Sequence, residues 1–504
     1  MKHSTFNLQH RTANSRRRRF GNFPGRWALN ARSRFIGVEC WTFPALLVVI
    51  AGCATYHPEP VLPEKTAAAF DARSLTNAGL QTFLETNHVA VPGPHAGWNL
   101  KQLTLVAFYY QPALAEARAG LLAAQAAKTT AGQRPNPTVS VTPAYDSQVP
   151  GTPSPWMVSA SVDVPIETAG KRGKRVAEAQ HLAEAARWDL IGTIWQTRSR
   201  IRAALLNLYS TRESEALLTR QESAQSDVVR LLAGQFAAGA VSSYEVTQAR
   251  TTLATTQLAR QDAAGKANQA RIELAHALGV PTHALDGVNF SFAELSRFPR
   301  DTTRPEIRRQ ALLNRADVRG ALAEYAASQS ALQLEIANQY PDIHLGPGYG
   351  WNTGNAGDNA WELGLTVTLP VLNHNQGPVA EAEAKRTQAA AHFLKVQADA
   401  GAEIDSALAG YRAALQQAVT AKTLLDNSQK QLDSVRARKE AGDADLLAVA
   451  NAEVEFVTGA QNRLDALVRA QQALGQLEDA VQSPLTLPSV ALDAAENASS
   501  TIPK

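Results

Sequence analysis

The sequence predicts a mixed α+β membrane protein made of two similar halves, each a β-hairpin followed by an antiparallel pair of very long helices. Three observations predict it. First, Trp361, Leu363, Leu365, Val367 and Leu369 alternate with Glu362, Gly364, Thr366 and Thr368, the period of two that gives a strand one face for lipid and one for water. Second, Pro370 stops that strand, and from about Pro378 a helical pattern runs for about sixty residues unbroken. Third, the same order of events occurs about 205 residues earlier, where Val158, Ala160, Val162 and Val164 alternate with Ser159, Ser161 and Asp163, Pro165 follows, and another uninterrupted helix begins. The chain is an internal duplication.

The 504 residues therefore form one elongated body of two repeats rather than several globules. The formal charge of +3 is misleading, because Met1 to Gly52 hold nine Lys/Arg and a single acid, Glu39. Without that segment the chain is slightly acidic. The segment is a basic stretch, then the apolar run Phe43 to Ile50, then small residues, which is the pattern of a bacterial export signal over residues 1–52. The run is too short for a permanent membrane span. Ile50-Ala51-Gly52-Cys53 resembles a lipobox, so Cys53 is the expected lipid attachment site and mature N-terminus, and Ala54 behind it resembles the sorting pattern of outer-membrane lipoproteins. Ser15 to Phe20, SRRRRF, resembles a twin-arginine signal but lies far from the apolar run, and an over-long n-region or misplaced start explains it as well. As a nucleic-acid patch it would be lost with the signal. Cleavage also removes Cys40, leaving no disulfide and no thiolate metal site.

Residues 53–97 read as a lipidated N-terminal arm, extended or partly helical. The first repeat, 98–279, opens with NLKQLTLVAFYYQPALAEARAG, in which Pro112 starts a helix that Gly132, Pro135 and Pro137 stop. Thr138 to Tyr145 is a strand, Asp146 to Pro155 a loop, and Trp156 to Val164 the returning strand. A helix from about Lys174 to Ala238 follows, close to 100 Å long at 1.5 Å per residue. After Gly239 the pattern restarts at Tyr244 and runs back to Leu278-Gly279. Residues 280–304 are a connector. The second repeat, 305–482, keeps the order: Ala316-Asp317-Val318 matches Pro112-Ala113-Leu114, Pro341 matches Pro137, Thr353 to Asn359 is the hairpin loop, and Gly442 matches Gly239. In its long helix Ile404, Tyr411, Ala418, Leu425 and Leu432 recur every seventh residue, a coiled-coil seam. Residues 483–504 read as a disordered tail.

Four strands per chain cannot close in a bilayer, where an open sheet edge leaves backbone groups unpaired and barrels begin at eight strands. Two copies give a barrel too narrow for a wide pore; three give twelve strands. The expected assembly is a homotrimeric twelve-strand β-barrel continued by a long antiparallel α-helical barrel. The order of elements, LTL…QPALAEAR at its opening and Gly239 and Gly442 at the helical turns, resembles the TolC-type outer-membrane efflux family, over about Trp98 to Gln482. The resemblance implies a trimeric channel in the outer membrane that extends into the periplasm and works with a periplasmic adaptor and an inner-membrane pump. Val164-Pro165-Ile166-Glu167-Thr168-Ala169-Gly170-Lys171-Arg172 further resembles the segment after the second strand in subunits of tripartite heavy-metal exporters. The resemblance also implies adaptor docking at the helix-turn tips, here Gly239, Ala240, Tyr244, Gly442, Asp443 and Asp445. Positions matching the family's acidic entrance ring are Ala448 and Asn451, so that ring is missing, with Asp443 and Asp445 close by.

Other motifs carry less. Gly346-Pro347-Gly348-Tyr349-Gly350 mimics a dinucleotide fingerprint but leads into a strand. Gly170 to Arg175, GKRGKR, lacks the Ser/Thr and the earlier Gly of a phosphate loop. Its cations Lys171, Arg172, Lys174 and Arg175 oppose the dipole at a helix start; solvated charge and contact with outer-membrane lipid phosphates at the barrel base both account for them. The eleven His show no ligand spacing, Met1 and Met157 are the only methionines, and no nucleophile, base and orienting acid stand together. The reading is a non-enzyme with no metal site, cofactor or nucleic-acid partner. A structural coiled-coil lipoprotein without a transport role is the other class the pattern allows, but it has no use for two hairpins with a lipid-like face.

Overall fold

The computed structural model describes residues 55–93, 96–145, 147, 156–299, 305–352 and 359–485. The signal segment, Cys53, most of both hairpin loops and the tail beyond Leu485 lie outside the described residues. The chain divides into two units, Met1–Leu62 and Pro63–Lys504. The described part of the first, residues 55–62, has no regular structure.

In the second unit the arm contains two short helices, α1 (Pro63–Asp71) and α2 (Ala78–Thr86), the latter capped by Asn77. Leu80 and Leu84, one turn apart, are fully buried. Helix α3 (Leu100–Tyr110) opens with a reciprocal cap, Asn99 and Gln102 each bonding the other's backbone amide at 2.9 Å. Pro112 forces Gln111 into an extended conformation and starts α4 (Pro112–Ala131). Strands β1 (Thr138–Tyr145) and β2 (Trp156–Ile166) lead to α5 (Lys171–Ala237), which turns back as α6 (Ser243–Leu278). After the connector, α7 (Pro305–Asn314) and α8 (Ala316–Ala337) precede β3 (Ile343–Asn352), β4 (Ala360–Val367), α9 (Gln376–Glu440) and α10 (Leu446–Val481).

Backbone conformation repeats where sequence does not. Gly170 and Asn375, before α5 and α9, both adopt left-handed φ (69° and 61°), as do Gly279 and Gln482 after α6 and α10 (75° and 48°). Asn tolerates this region through its short polar side chain; Gln482 is held by its Oε1, which accepts the Ala316 amide at 2.7 Å.

The bounds of two strands and of both long helices need correction. The second strand runs past Pro165 to Ile166, because β3 still pairs with it there, Pro165 opposite His344 and Ile166 opposite Ile343, although β1 begins only at Thr138 opposite Asp163. The fourth strand stops at Val367, short of Leu369, since β3 offers no partner before Ile343. The long helices also begin earlier than read, at Lys171 and Gln376.

The four strands form one antiparallel sheet in order β1-β2-β3-β4, so the two repeats meet at β2-β3 and both edges are open in the single chain. The heptad seam of α9 packs on α10, with Ile404, Tyr411 and Leu432 buried. A separate core around Leu103, Phe108, Ile201, Leu205, Leu274 and Leu278 fastens α3 to α5 and α6.

Candidate functional site

The register sorts the sheet into two chemically distinct faces. Val139, Val141, Pro143 and Tyr145 lie opposite Val162, Ala160, Val158 and Trp156, and the same row continues through Ile343, Leu345, Tyr349 and Trp351 to Trp361, Leu363, Leu365 and Val367. Trp361, Leu363 and Leu365 are 84, 77 and 66% exposed, which is costly in water and ordinary against lipid. Tyr145 meets Trp156 edge-on at 5.2 Å, and Tyr349 packs in a tilted arrangement on Trp361 at 4.8 Å, all at the loop end of the strands. This is the aromatic band expected where a bilayer meets water. The opposite face is mostly Thr, Ser, Gly and Ala, with Asp163, His344, Glu362 and Asn352 and, besides these, Met157 and Pro165. Among the described residues no helix is long and apolar enough to cross a membrane.

At the base of the sheet the basic cluster is used internally. Lys171 is buried and its Nζ donates to Asp342 Oδ1 at 2.8 Å. The Thr168 amide donates to the same carboxylate at 2.9 Å, tying the first repeat to the second. Burial works against the Asp342 charge, but Lys171 and Thr168 outweigh it and hold the carboxyl below the usual aspartate range. Arg172 Nε donates to Gly132 O at 2.6 Å and Arg175 forks onto Glu167. Arg175 also reaches Ala131 O, at 3.4 Å. Cations at the start of α5 thus serve the carbonyl end of α4, which resolves the apparent conflict with the α5 dipole. Lys174 donates to Gln333 at 2.8 Å. Arg172 alone of the four is exposed.

The helical tips lie at the other end of α5 and α9. Gly239 and Gly442 have φ of 75° and 85°, with open space where a Cβ would project, so conformation and not crowding requires glycine there. Ala240 N–H bonds Gln235 O and Asp443 N–H bonds Arg438 O, both at 2.8 Å, the same closure in each repeat. Ser242 caps α6 and Asp445 caps α10, Asp445 Oδ1 accepting the Ala448 amide at 2.8 Å. Tyr244 is 73% exposed, and Gly239, Ala240, Gly442, Asp443 and Asp445 are also exposed. Above the tips Glu453 of α10 accepts from Arg220 of α5 and Arg436 of α9, at 2.6 and 2.8 Å, and Arg220 lies 4.7 Å from the Phe456 ring.

Sequence reading missed a buried polar clasp between α5 and the end of α10. Glu478 is fully buried, with Oε2 3.1 Å from Arg198 Nη2 and 3.6 Å from Arg202 Nε. Arg202 donates to Gln471 O at 2.8 Å and Oε1 at 2.9 Å, and Gln471 Nε2 donates to Leu295 O of the connector at 2.6 Å. Trp195 Nε1 and Ser199 Oγ donate to Asp479 at 3.0 and 2.5 Å. Burial raises the Asp479 pKa despite these donors and the nearby arginines. The signal was present: Arg198 and Arg202 share the stripe of Ile194, Ile201 and Leu205.

The chain, with its two-faced sheet and its two pairs of long helices, matches a known family model, that of the outer membrane efflux protein, over residues 109–280 and 307–481. The chain belongs to this family. It is 25% identical over 236 residues to the cobalt-zinc-cadmium resistance protein CzcC of Cupriavidus metallidurans, covering 47% of this chain and 55% of that protein. It is likewise 25% identical over 223 residues to the pyoverdine export outer membrane protein OpmQ of Pseudomonas aeruginosa, covering 44 and 46%. The chain thus spans about half the length of these relatives. The solved structure of the outer membrane protein VceC from Vibrio cholerae shares the fold, with a TM-score of 0.62 at 20% identity, covering 77% of this chain and 96% of that one. Among the described residues no three His, Cys, Asp or Glu side chains are grouped to hold a metal ion.

Proposed function

We propose that this chain is the outer-membrane channel subunit of a tripartite export system. Three copies close their sheets into a twelve-strand barrel, the helices continue it as a periplasmic tunnel, and substrate passes from an inner-membrane pump and periplasmic adaptor to the exterior. The observation that carries this is the sheet itself: one apolar and one polar face, with β1 and β4 both unpaired at the edges. In hydrocarbon each unpaired backbone group costs several kcal/mol, so β4 of one subunit pairs with β1 of the next. Family membership supports the role, and relatives named for metal resistance and for pyoverdine export support a conduit whose cargo is chosen elsewhere. A coiled-coil lipoprotein without transport would leave the two-faced sheet unexplained.

In this reading Cys53 is the acylated mature N-terminus, Arg172 lies level with the lipid phosphates, and the tips from Gly239 to Tyr244 and Gly442 to Asp445 receive the adaptor. The test is Ala240→Arg with Ala444→Arg, which adds bulk and charge while both turn glycines stay. The expected result is a normal trimer, three chains by mass in detergent, that no longer cross-links to its adaptor or supports export. A folded, membrane-inserted monomer refutes the barrel; wild-type cross-linking and export by the double variant refute docking at the tips.

A further inference from the structure

The polar face of the sheet carries its charge unevenly. Among its described side chains only Asp163, His344 and Glu362 ionise. Asp163 and His344 are engaged with each other, His344 Nδ1 lying 2.9 Å from Asp163 Oδ2. Glu362 is exposed, near the loop end of β4, and is paired in register with Gly348 of β3. A Cβ at Gly348 would sit 3.6 Å from that of Glu362, and Gly346, Gly350 and Gly364 share the same face. The carboxylate therefore stands over a wall of bare backbone, with no ion-pair partner among the described residues.

We propose that Glu362 sets the charge preference of the channel's exit. The inference rests on the barrel reading above: with three chains closed, three unpaired carboxylates face the lumen at one height, and a charged side chain on a barrel's inner wall tunes which ions pass. A twelve-strand barrel places such a ring at a radius of about 10 Å. Coulomb's law in water with Debye screening then gives about five-fold enrichment of a monovalent cation on the axis at about 10 mM salt, and about two-fold at 0.15 M. Glycines around the ring widen the lumen, and among the described residues no cation offsets it. The exit favours cations and cationic cargo over anions of equal size.

Purified full-length trimer in planar bilayers, with a ten-fold KCl gradient starting near 10 mM, gives the cation-to-anion permeability ratio from the reversal potential. Glu362→Gln should lower that ratio at least about two-fold in dilute salt, Glu362→Lys should lower it further, and the differences should shrink near 1 M as screening shortens. A ratio unchanged by both variants overturns the proposal. A second arm separates this from failure of the barrel reading. Glu362→Cys and Leu363→Cys are exposed to a charged, membrane-impermeant thiol reagent, with the native chain as the blank. Reaction at 362 and protection at 363 supports the inward-facing wall on which the proposal depends. The reverse pattern overturns the barrel reading itself, whereas the expected pattern with unchanged selectivity overturns only the role of Glu362.

Discussion

Gly475 offers a substitution whose sign depends on a residue far away in sequence. It lies in α10, one turn beyond Gln471, and a Cβ there would overlap Arg202 Nη1 and lie 3.3 Å from Arg202 Cζ. Gly475→Ala on its own improves helix propensity by about 1 kcal/mol. Against this, the methyl displaces a guanidinium that is buried and bonded to Gln471 O and Oε1 at 2.8 and 2.9 Å. Losing those charge-assisted bonds and leaving the charge buried costs about 3–5 kcal/mol. The net expectation is destabilisation by about 2–4 kcal/mol, the opposite of what propensity alone predicts. In an Arg202→Met background the obstruction is gone, and Gly475→Ala should stabilise by up to about 1 kcal/mol. The assay is urea unfolding of the detergent-solubilised protein for all four members of the cycle. With eight tryptophans in the chain, fluorescence is not local, so hydrogen exchange of the Ala470–Val481 amides serves as the site-specific readout. Neutral or favourable Gly475→Ala in the native background, or the same loss in the Arg202→Met background, refutes the reasoning.

Two further outcomes follow from other parts of the chain. Asp342→Asn should loosen the sheet base by about 1–3 kcal/mol near neutral pH, since it strands the buried Lys171, the range being reduced because Asp342 is itself partly exposed. Because the folded Asp342 pKa is depressed, its contribution is present above the ordinary aspartate pKa and disappears as pH falls through the lower folded value, so acid titration of stability should bring variant and native together. Cys53→Ser should give a chain without acyl groups in intact mass spectra, and an unmodified mature N-terminus elsewhere in the native protein rules out the lipobox reading.

What was legible in the sequence was what depends on local period. The strand at Thr138–Tyr145, the returning strand from Trp156 and the paired helices follow from alternation and from the glycines and prolines between them. What was hidden depends on distant partners. The cations after Gly170 look misplaced until Gly132 and Asp342, 40 and 171 residues away, are brought to them. Arg198 lies on an apolar stripe of α5, but its partner Glu478 is 280 residues away, and no local period joins the two. The arm reads as extended or partly helical, but where its helix α2 lies was not legible, because nine residues are too few to establish a period. The tips were recognisable from their glycines, yet Asp445, read as a docking residue, also caps a helix.

The open edges of the sheet have a genetic consequence. In the assembly proposed here every junction is head-to-tail, β4 of one subunit on β1 of its neighbour, so no subunit can be left out and no pair can close by itself. A chain that folds its helices normally but carries a spoiled β1 edge would still be recruited through its intact β4. It would then leave the ring unsealed for the two sound copies beside it. Lesions at the edges should therefore be dominant when co-expressed with the native gene, whereas lesions that unfold the chain outright, and so keep it out of the ring, should be recessive.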